Sequence, residues 1–473
     1  EVAPTGRGMR NKMNDQRQTM LATESIGKLL LKMSLPAGIG MFVMSLYNVV
    51  DTIFIGRMVG QLGIAGLTVV FPVQMIVMGL GMIVGIGGAS IISRSIGAGD
   101  VDRAERTLGN CLFSVILIGM LIPAVGLPNI ASLLKLFGST ETILPFARSY
   151  LDIILLGTFF QVFAMGIGQL IRAEGNARVP MIGMVIGAGL NIILDAVFIV
   201  ALDMGVRGAA MATILSQAVT SLYVIHYYLF QNSTLKIHLK DLAPDGRVLR
   251  EIIAVGMGSF FRTTGGSLVA VVILRNLRSH GGDLAIASYG LVIRLMMFLF
   301  MPLVSIGQGL QPILGFSYGA GTHDRSFRAI KLATVSASVL SVLAFLLVYL
   351  LSGPMFRIFT TDEALVAAST VAARLIFLAG YLLGFQMIGS VVFQTLGKPV
   401  PTFLTATSRQ VLFLLPLVFI LPKYLGINGI WYSFPIADAL SSILTLGLLI
   451  PEIRSLRKAR AGTADEEVRP QAR

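Results

Sequence analysis

Apolar stretches of about twenty residues recur along this chain, and they leave it few ways to fold. An α-helix needs about 20 residues to cross roughly 30 Å of hydrocarbon. In lipid, only helices or closed barrels satisfy every backbone N–H and C=O. Charged residues make up 13% of the chain against 55% hydrophobic ones, too little charge to clothe a soluble domain of 473 residues. The expectation is an all-α polytopic membrane protein with twelve transmembrane helices. They fall near 30–56, 64–93, 107–127, 143–170, 177–201, 208–230, 251–274, 284–314, 330–351, 366–394, 400–421 and 428–450.

A net charge of +13 raises the question of a nucleic-acid partner, and its distribution answers it. Of the 37 Lys and Arg residues, 25 fall in the two ends of the chain and in the even-numbered connections. Seven lie on the other side: Arg57, Lys135, Arg207, Arg275, Arg278, Arg357 and Lys423. By the positive-inside rule both termini are expected in the cytoplasm, so the excess charge reports topology and no nucleic-acid partner is expected. Residues 1–27 lack an apolar core of the signal-peptide kind, and the first span is expected to act as an uncleaved anchor. Cys111, the single cysteine, cannot form an intrachain disulfide.

The polar loop SIGAGDVDRAER (95–106) returns 222 positions later as SYGAGTHDRSFR (317–328). At that offset Gly85 and Gly87 face Gly307 and Gly309; at 221, Gly175–Pro180 faces the stretch ending at Pro401. The repeat covers six spans. Six is even, so both copies enter the membrane alike, related by a pseudo-two-fold axis along the membrane normal. The expected division is a cytoplasmic tail over 1–27, an amino-terminal lobe over 28–230 and a linker over 231–250. A carboxy-terminal lobe over 251–453 and a second cytoplasmic tail over 454–473 complete it. The doubled loop itself reads either as a functional element or as a tight turn with a topological charge.

Ionisable groups inside spans cost about 2.5–3.5 kcal/mol each on insertion scales, so each needs a reason. Asp51 lies mid-span in YNVVDTIFIG. Asp195 lies in GLNIILDAVFI, with Asn191 one turn earlier on the same face, and Thr213 stands early in the next span. The repeat places Ile273, Leu412, Pro416 and Phe434 opposite these four, so the scaffold is duplicated and the polar groups are not. Helix-to-helix hydrogen bonding remains an alternative for Asn191 and Thr213. Two carboxylates whose spans carry Lys or Arg only at their far ends (Lys32 and Arg178) cannot both stay charged in a dry site. Either a proton neutralises one, or a cation such as Na+ fills the space between them. Met44, Tyr47 and Asn48 share the helix face of Asp51 and are candidates for lining a cavity. In the second half, Arg262, Arg294, Arg374, Arg409 and Asp438 also fall within spans. Arg262 and Arg294 suit lipid headgroups or anionic substrate parts, or, as such residues more often do, backbone carbonyls that lock helices. Arg148 and Asp152 read as a local pair, and the four histidines show no metal-ligand spacing.

At Asp51, at Asn191-x-x-x-Asp195 and at the doubled GAG loop, the chain resembles the MATE family of multidrug and toxic compound extrusion transporters. The resemblance is nearest to the DinF/MepA-like prokaryotic branch. It runs from about residue 30 to 452 and includes LPAGIGMFVMSLYNVVDTIFIGR, LIRAEGNARVP and GQGLQPILGFSYGAG. It implies a monomeric antiporter of a prokaryotic plasma (inner) membrane, without a bound cofactor. Such a protein exports organic cations or amphiphilic drugs in exchange for H+ or Na+. In that branch the amino-terminal lobe carries the coupling site, whose positions match Asp51, Asn191, Asp195 and Thr213, and a first-helix proline, matched by Pro36, is where that helix bends. Two departures stand out. The acidic residues that the NorM-like branch carries on its seventh and tenth helices have no match here. Where many relatives carry Asn late in the fourth helix, this chain has Ala164, Gly168 and Gln169.

Three rivals differ in kind. A major-facilitator transporter repeats an Asp-Arg loop, but with Gly two residues past the Arg, where Glu105 and Phe327 stand. A lipid-linked precursor flippase of the same superfamily suits the second-half arginines and often has fourteen spans. An intramembrane enzyme needs a nucleophile with a base, a metal cluster or acid–base carboxylates, and no HExxH and no paired His are present.

Overall fold

The computed structural model describes residues 17–231 and 233–467, and among them it is helical without strands. Ten helices are long and apolar enough to cross a membrane. The bent pair Leu144–Leu156 and Thr158–Ala173, inclined at 56°, supplies an eleventh span. The helix Gly246–Gly319 runs 74 residues, too long for one crossing, and its helical backbone breaks at Gly282, with φ 61° and ψ −156°. That conformation suits a residue without Cβ, and it divides the helix into two spans. Twelve result, as the apolar pattern requires.

In chain order they are α1 (Ile26–Met58), α2 (Gln61–Gly97), α3 (Val101–Gly126) and α4 (the bent pair). Next come α5 (Arg178–Asp195, prolonged by the π-helical turn Ala196–Ala201) and α6 (Gly205–Phe230). The second lobe has α7 (246–281), α8 (283–319) and α9 (His323–Arg357). Its α10 is Glu363–Thr395 with a 3-10 segment at Phe377–Leu382, and α11 starts at Pro399 with a π-helical turn at Ser408–Leu414. Last is α12 (Ile427–Glu467). The twelfth helix thus continues well past the expected span end at 450, through Pro451. Exposed apolar side chains such as Leu31, Met120, Leu222 and Ile443, each above 60% exposed, belong against lipid.

How the core is distributed shows how the lobes meet. One cluster of buried residues draws on both lobes: Leu29 and Met33 of α1, Ile91 of α2, Ile252 of α7, Leu310 and Ile313 of α8, and Phe393 of α10. All lie toward the face that carries most of the Lys and Arg, called here the basic face. Toward the opposite face the core splits. One cluster holds only amino-terminal-lobe residues, among them Ile55, Val70, Leu151, Ile199 and Ala209. The other holds only carboxy-terminal-lobe residues, including Ile273, Val292, Phe356 and Trp431.

The seam at the basic face obeys the repeat. A Cβ on Gly97 would lie 2.0 Å from the carbonyl oxygen of Phe316, and one on Gly319 would lie 2.0 Å from that of Arg94. At the 222-residue offset, 319 is the counterpart of 97 and 316 of 94, so this is one contact made twice. Such reciprocity is the signature of a two-fold interface.

The doubled polar loop finds its reason here. Arg103, at the start of α3, donates to Glu251 of α7 at 2.8 Å, and Arg94 donates to the same carboxylate at 2.9 Å. Arg325, the counterpart of Arg103, donates to the backbone carbonyls of Leu21 (3.0 Å) and Glu24 (2.7 Å), just before α1. Each copy of the loop therefore sends its arginine across to where the other lobe begins, on α7 in one case and just before α1 in the other. The joint between lobes is fastened to the first one as well. Glu174, buried after α4, accepts from Tyr228 (2.8 Å), Ser233 (2.8 Å) and the Thr234 N–H (3.1 Å). Within the linker, Leu235 packs into the core while Leu239 is exposed.

Candidate functional site

Asp51 and Asp195 sit on different helices of the first lobe, and both are buried. Asp195 closes the α-helical part of α5, where the backbone passes into the wider π-helical turn Ala196–Ala201. Turns of this kind inside α-helices recur at functional sites, because they re-aim side chains. The spacing of Asn191 to Asp195 is one helical turn, and the two are joined. With its amide oriented so that both ends find partners, Asn191 donates to Asp195 Oδ2 at 3.1 Å and accepts from the Thr213 N–H at 3.2 Å. Thr213 thus meets Asn191 through its backbone rather than its hydroxyl.

The two acids lie within electrostatic reach of each other, and Tyr47 of α1 lies within reach of both. One oxygen of each carboxylate, Asp51 Oδ1 and Asp195 Oδ1, is buried without a hydrogen-bond partner among the described residues. Leaving such an oxygen unpaired costs about 1–3 kcal/mol, more when it is charged. Two unpaired carboxylate oxygens facing a dry interior are donors suited to a proton or a hard monovalent cation.

Other residues expected near this site are placed as follows. Met44 and Tyr47 are half-buried; Asn48 is exposed and donates its amide to the Met44 carbonyl at 2.8 Å, within its own helix. Pro36 stands inside α1, which continues as one helix through it. Proline removes one backbone hydrogen bond and crowds the preceding turn, so α1 is weakest there.

Two further residues were not legible as site members. Tyr150 of α4 meets Gln74 of α2 at 3.4 Å, bonds the Thr213 side chain and feels the Asp51 charge. Neither carries a sequence signal beyond being polar within a span. Their neighbours Arg148 and Asp152 do form the expected local pair, at 3.8 Å. Five helices, α1, α2, α4, α5 and α6, therefore converge on the acids.

The second lobe also ties its fifth and sixth helices together, by a different chemistry. Arg409 of α11 donates to Asp438 of α12 at 2.5 Å, with the Asp438 side chain 2% exposed. The guanidinium also lies 5.6 Å over the Phe300 ring, and Arg374 lies 5.5 Å over Tyr349. Arg409 is thus matched to a carboxylate and Arg374 to a ring. Arg262, half-buried, and Arg294, exposed, make no hydrogen bond or ion pair among the described residues. One lobe thus holds a buried acid with a built-in counter-charge, and the other holds two acids without one.

Twelve spans in two lobes that share a core at one face and keep separate cores at the other define a multi-pass membrane protein built like a transporter. The chain belongs to the MatE family, whose model matches residues 36–197 and 257–420, once in each lobe. It is similar to the multidrug export protein MepA of Staphylococcus aureus (strain MRSA252), at 27% identity over 92% of this chain and 96% of that protein. MepA of Staphylococcus haemolyticus (strain JCSC1435) is 28% identical over 92% of this chain and 95% of its own. Among solved structures, the MATE multidrug transporter DinF-BH in complex with R6G superposes with a TM-score of 0.85 at 41% identity. It covers 91% of this chain and 96% of that one. A MATE in the bent conformation gives 0.88 at 27% identity, over 94% and 99%.

Proposed function

We propose that this multidrug efflux transporter is a secondary active antiporter that exports organic cations or amphiphilic drugs in exchange for H+ or Na+. The coupling ion is held in the first lobe by Asp51 and Asp195, with Asn191 and Thr213 fixing the second acid. The observation that carries the reading is the pair of unpartnered carboxylate oxygens on α1 and α5, neither acid having an ion-pair partner among the described residues. The paired Asp438 of the other lobe strengthens it, since a carboxylate that already has its guanidinium has no need of an exchangeable ion.

In this reading the protein acts as a monomer in the plasma (inner) membrane of a prokaryote, with the basic face and both termini in the cytoplasm. The fused core at that face and the two separate cores beyond it then describe an outward-facing arrangement. Arrival of the ion neutralises the acids and bends α1 at Pro36. The bend reshapes the cavity lined by Met44, Tyr47 and Asn48 and displaces the drug outward. Rocking of one lobe against the other returns the site to the cytoplasm.

The test is transport in proteoliposomes under proton and sodium gradients imposed separately, at fixed membrane potential. R6G, present in the DinF-BH complex, is the first probe. Substrate-dependent dissipation of one gradient is expected, lost in Asp51→Asn and in Asp195→Asn. Full gradient-driven export by Asp195→Asn would overturn the site assignment.

A further inference from the structure

The histidines showed no metal-ligand spacing in the sequence, yet the fold supplies the missing partner from 133 positions away. His238 and Asp241 flank and enter the 3-10 turn Leu239–Leu242 of the linker. The Asp241 N–H donates to the His238 carbonyl at 3.0 Å, a turn that keeps the two residues together. They point at Glu105 of α3. One ligand atom from each of Glu105, His238 and Asp241 lies within 4.8 Å of the others, and His238 Nε2 is already 3.2 Å from Glu105 Oε2.

The three are held there by groups outside the cluster. The Lys236 N–H donates to Glu105 Oε1 at 2.9 Å, which orients the carboxylate and leaves its other oxygen facing the imidazole. Asn110 Oδ1 accepts from the Asp245 N–H at 2.7 Å, pinning the linker beyond the turn. At Gly109 an added Cβ would come within 2.2 Å of the Asp241 carbonyl oxygen, so a glycine is what lets Asp241 lie against α3.

We propose that Glu105, His238 and Asp241 form a binding site for a divalent transition-metal cation of the zinc class, on the cytoplasmic side of the first lobe. One imidazole and two carboxylates are three of the four ligands of a tetrahedral zinc site, and water supplies the fourth. Tetrahedral bonds of about 2.0–2.2 Å set the ligand atoms about 3.4 Å apart, close to the separations of these half-buried side chains, whose ligand atoms already lie within 4.8 Å of one another. The imidazole selects zinc-like ions over Mg2+ or Ca2+, which take oxygen ligands and keep their waters. Bound metal staples the linker between the lobes to α3. A plain His–Glu ion pair is the simpler use of this space, and it has no role for Asp241.

The full chain in lipid nanodiscs, stripped with chelator and dialysed against Zn2+, is expected to take up one equivalent per chain by elemental analysis, with micromolar affinity by calorimetry. His238→Ala and Asp241→Ala are each expected to lose about tenfold or more in affinity. His238→Cys, which restores a zinc ligand, is expected to retain it, as are Asp51→Asn and Asp195→Asn. Unchanged zinc affinity in Asp241→Ala, or Mg2+ binding as tight as Zn2+, would overturn the proposal without touching the transport reading.

Discussion

Glu251 is the point where the seal at the basic face is most easily loosened without disturbing the core. It accepts from Arg94 at 2.9 Å and from Arg103 at 2.8 Å, and these three side chains are 28%, 19% and 47% exposed. Exposed ion pairs are worth about 0.2–1 kcal/mol, and charge-assisted contacts with partial burial sit at the upper end. Two of them give about 1.4 kcal/mol, which corresponds to a tenfold change in an equilibrium constant. Glu251→Gln removes both and leaves two guanidinium groups facing each other. The expectation is that the ratio of molecules open at the basic face to molecules closed there rises about tenfold. Ala98 and Ala320 are exposed counterparts at the 222-residue offset. Spin labels on Ala98→Cys and Ala320→Cys, in a Cys111→Ser background, read this ratio as a distance distribution. A distribution identical to that of the parent in both Glu251→Gln and Glu251→Ala would refute the clamp.

Other perturbations follow from the same geometry. Asn191→Ala strips a hydrogen bond from Asp195 and from the Thr213 N–H, and about a tenfold loss in coupling-ion affinity is expected in gradient-driven uptake at varied ion concentration. Tyr150→Phe removes only a hydroxyl that bonds Gln74 and Thr213, so transport is expected to slow while the melting temperature in detergent stays within a few degrees. Asp438→Asn leaves Arg409 without its partner at a cost of about 3–5 kcal/mol, visible as a lowered melting temperature. The double change Arg409→Met with Asp438→Leu is expected to recover most of it. Gly97→Ala and Gly319→Ala drive a methyl into the opposite lobe at equivalent points, and the label pair is expected to report the same shift for both.

The frame was legible because lipid is an unforgiving solvent. Span length, the charge of the connections and the even-numbered repeat each depend on the backbone and the bilayer rather than on packing detail. The pairing of α7 and α8 through the single break at Gly282 was not legible, since one glycine among 51 carries no distinguishing mark. Asp51, Asn191, Asp195 and Thr213 stood out as polar groups in apolar surroundings without a repeat counterpart. Tyr150 and Gln74 did not, being ordinary polar residues whose meeting depends on how α4 bends. Arg409 and Asp438 were visible singly, but their pairing needs two helices brought together across 29 positions. The cluster at His238 was hidden for the same reason: Asp241 is three positions on, but Glu105 lies far back in the chain, and only the docking of the linker on α3 brings it in.

The branching of the core has a consequence for the energetics of the working cycle. If the lobes part at the basic face while their far ends come together, apolar surface is uncovered on one side as it is covered on the other. The two ends of the stroke then differ little in hydration, so temperature should barely move the resting balance between them. It should weigh instead on the crossing point, where neither side is sealed, and there the molecule is expected to be slowest in the cold.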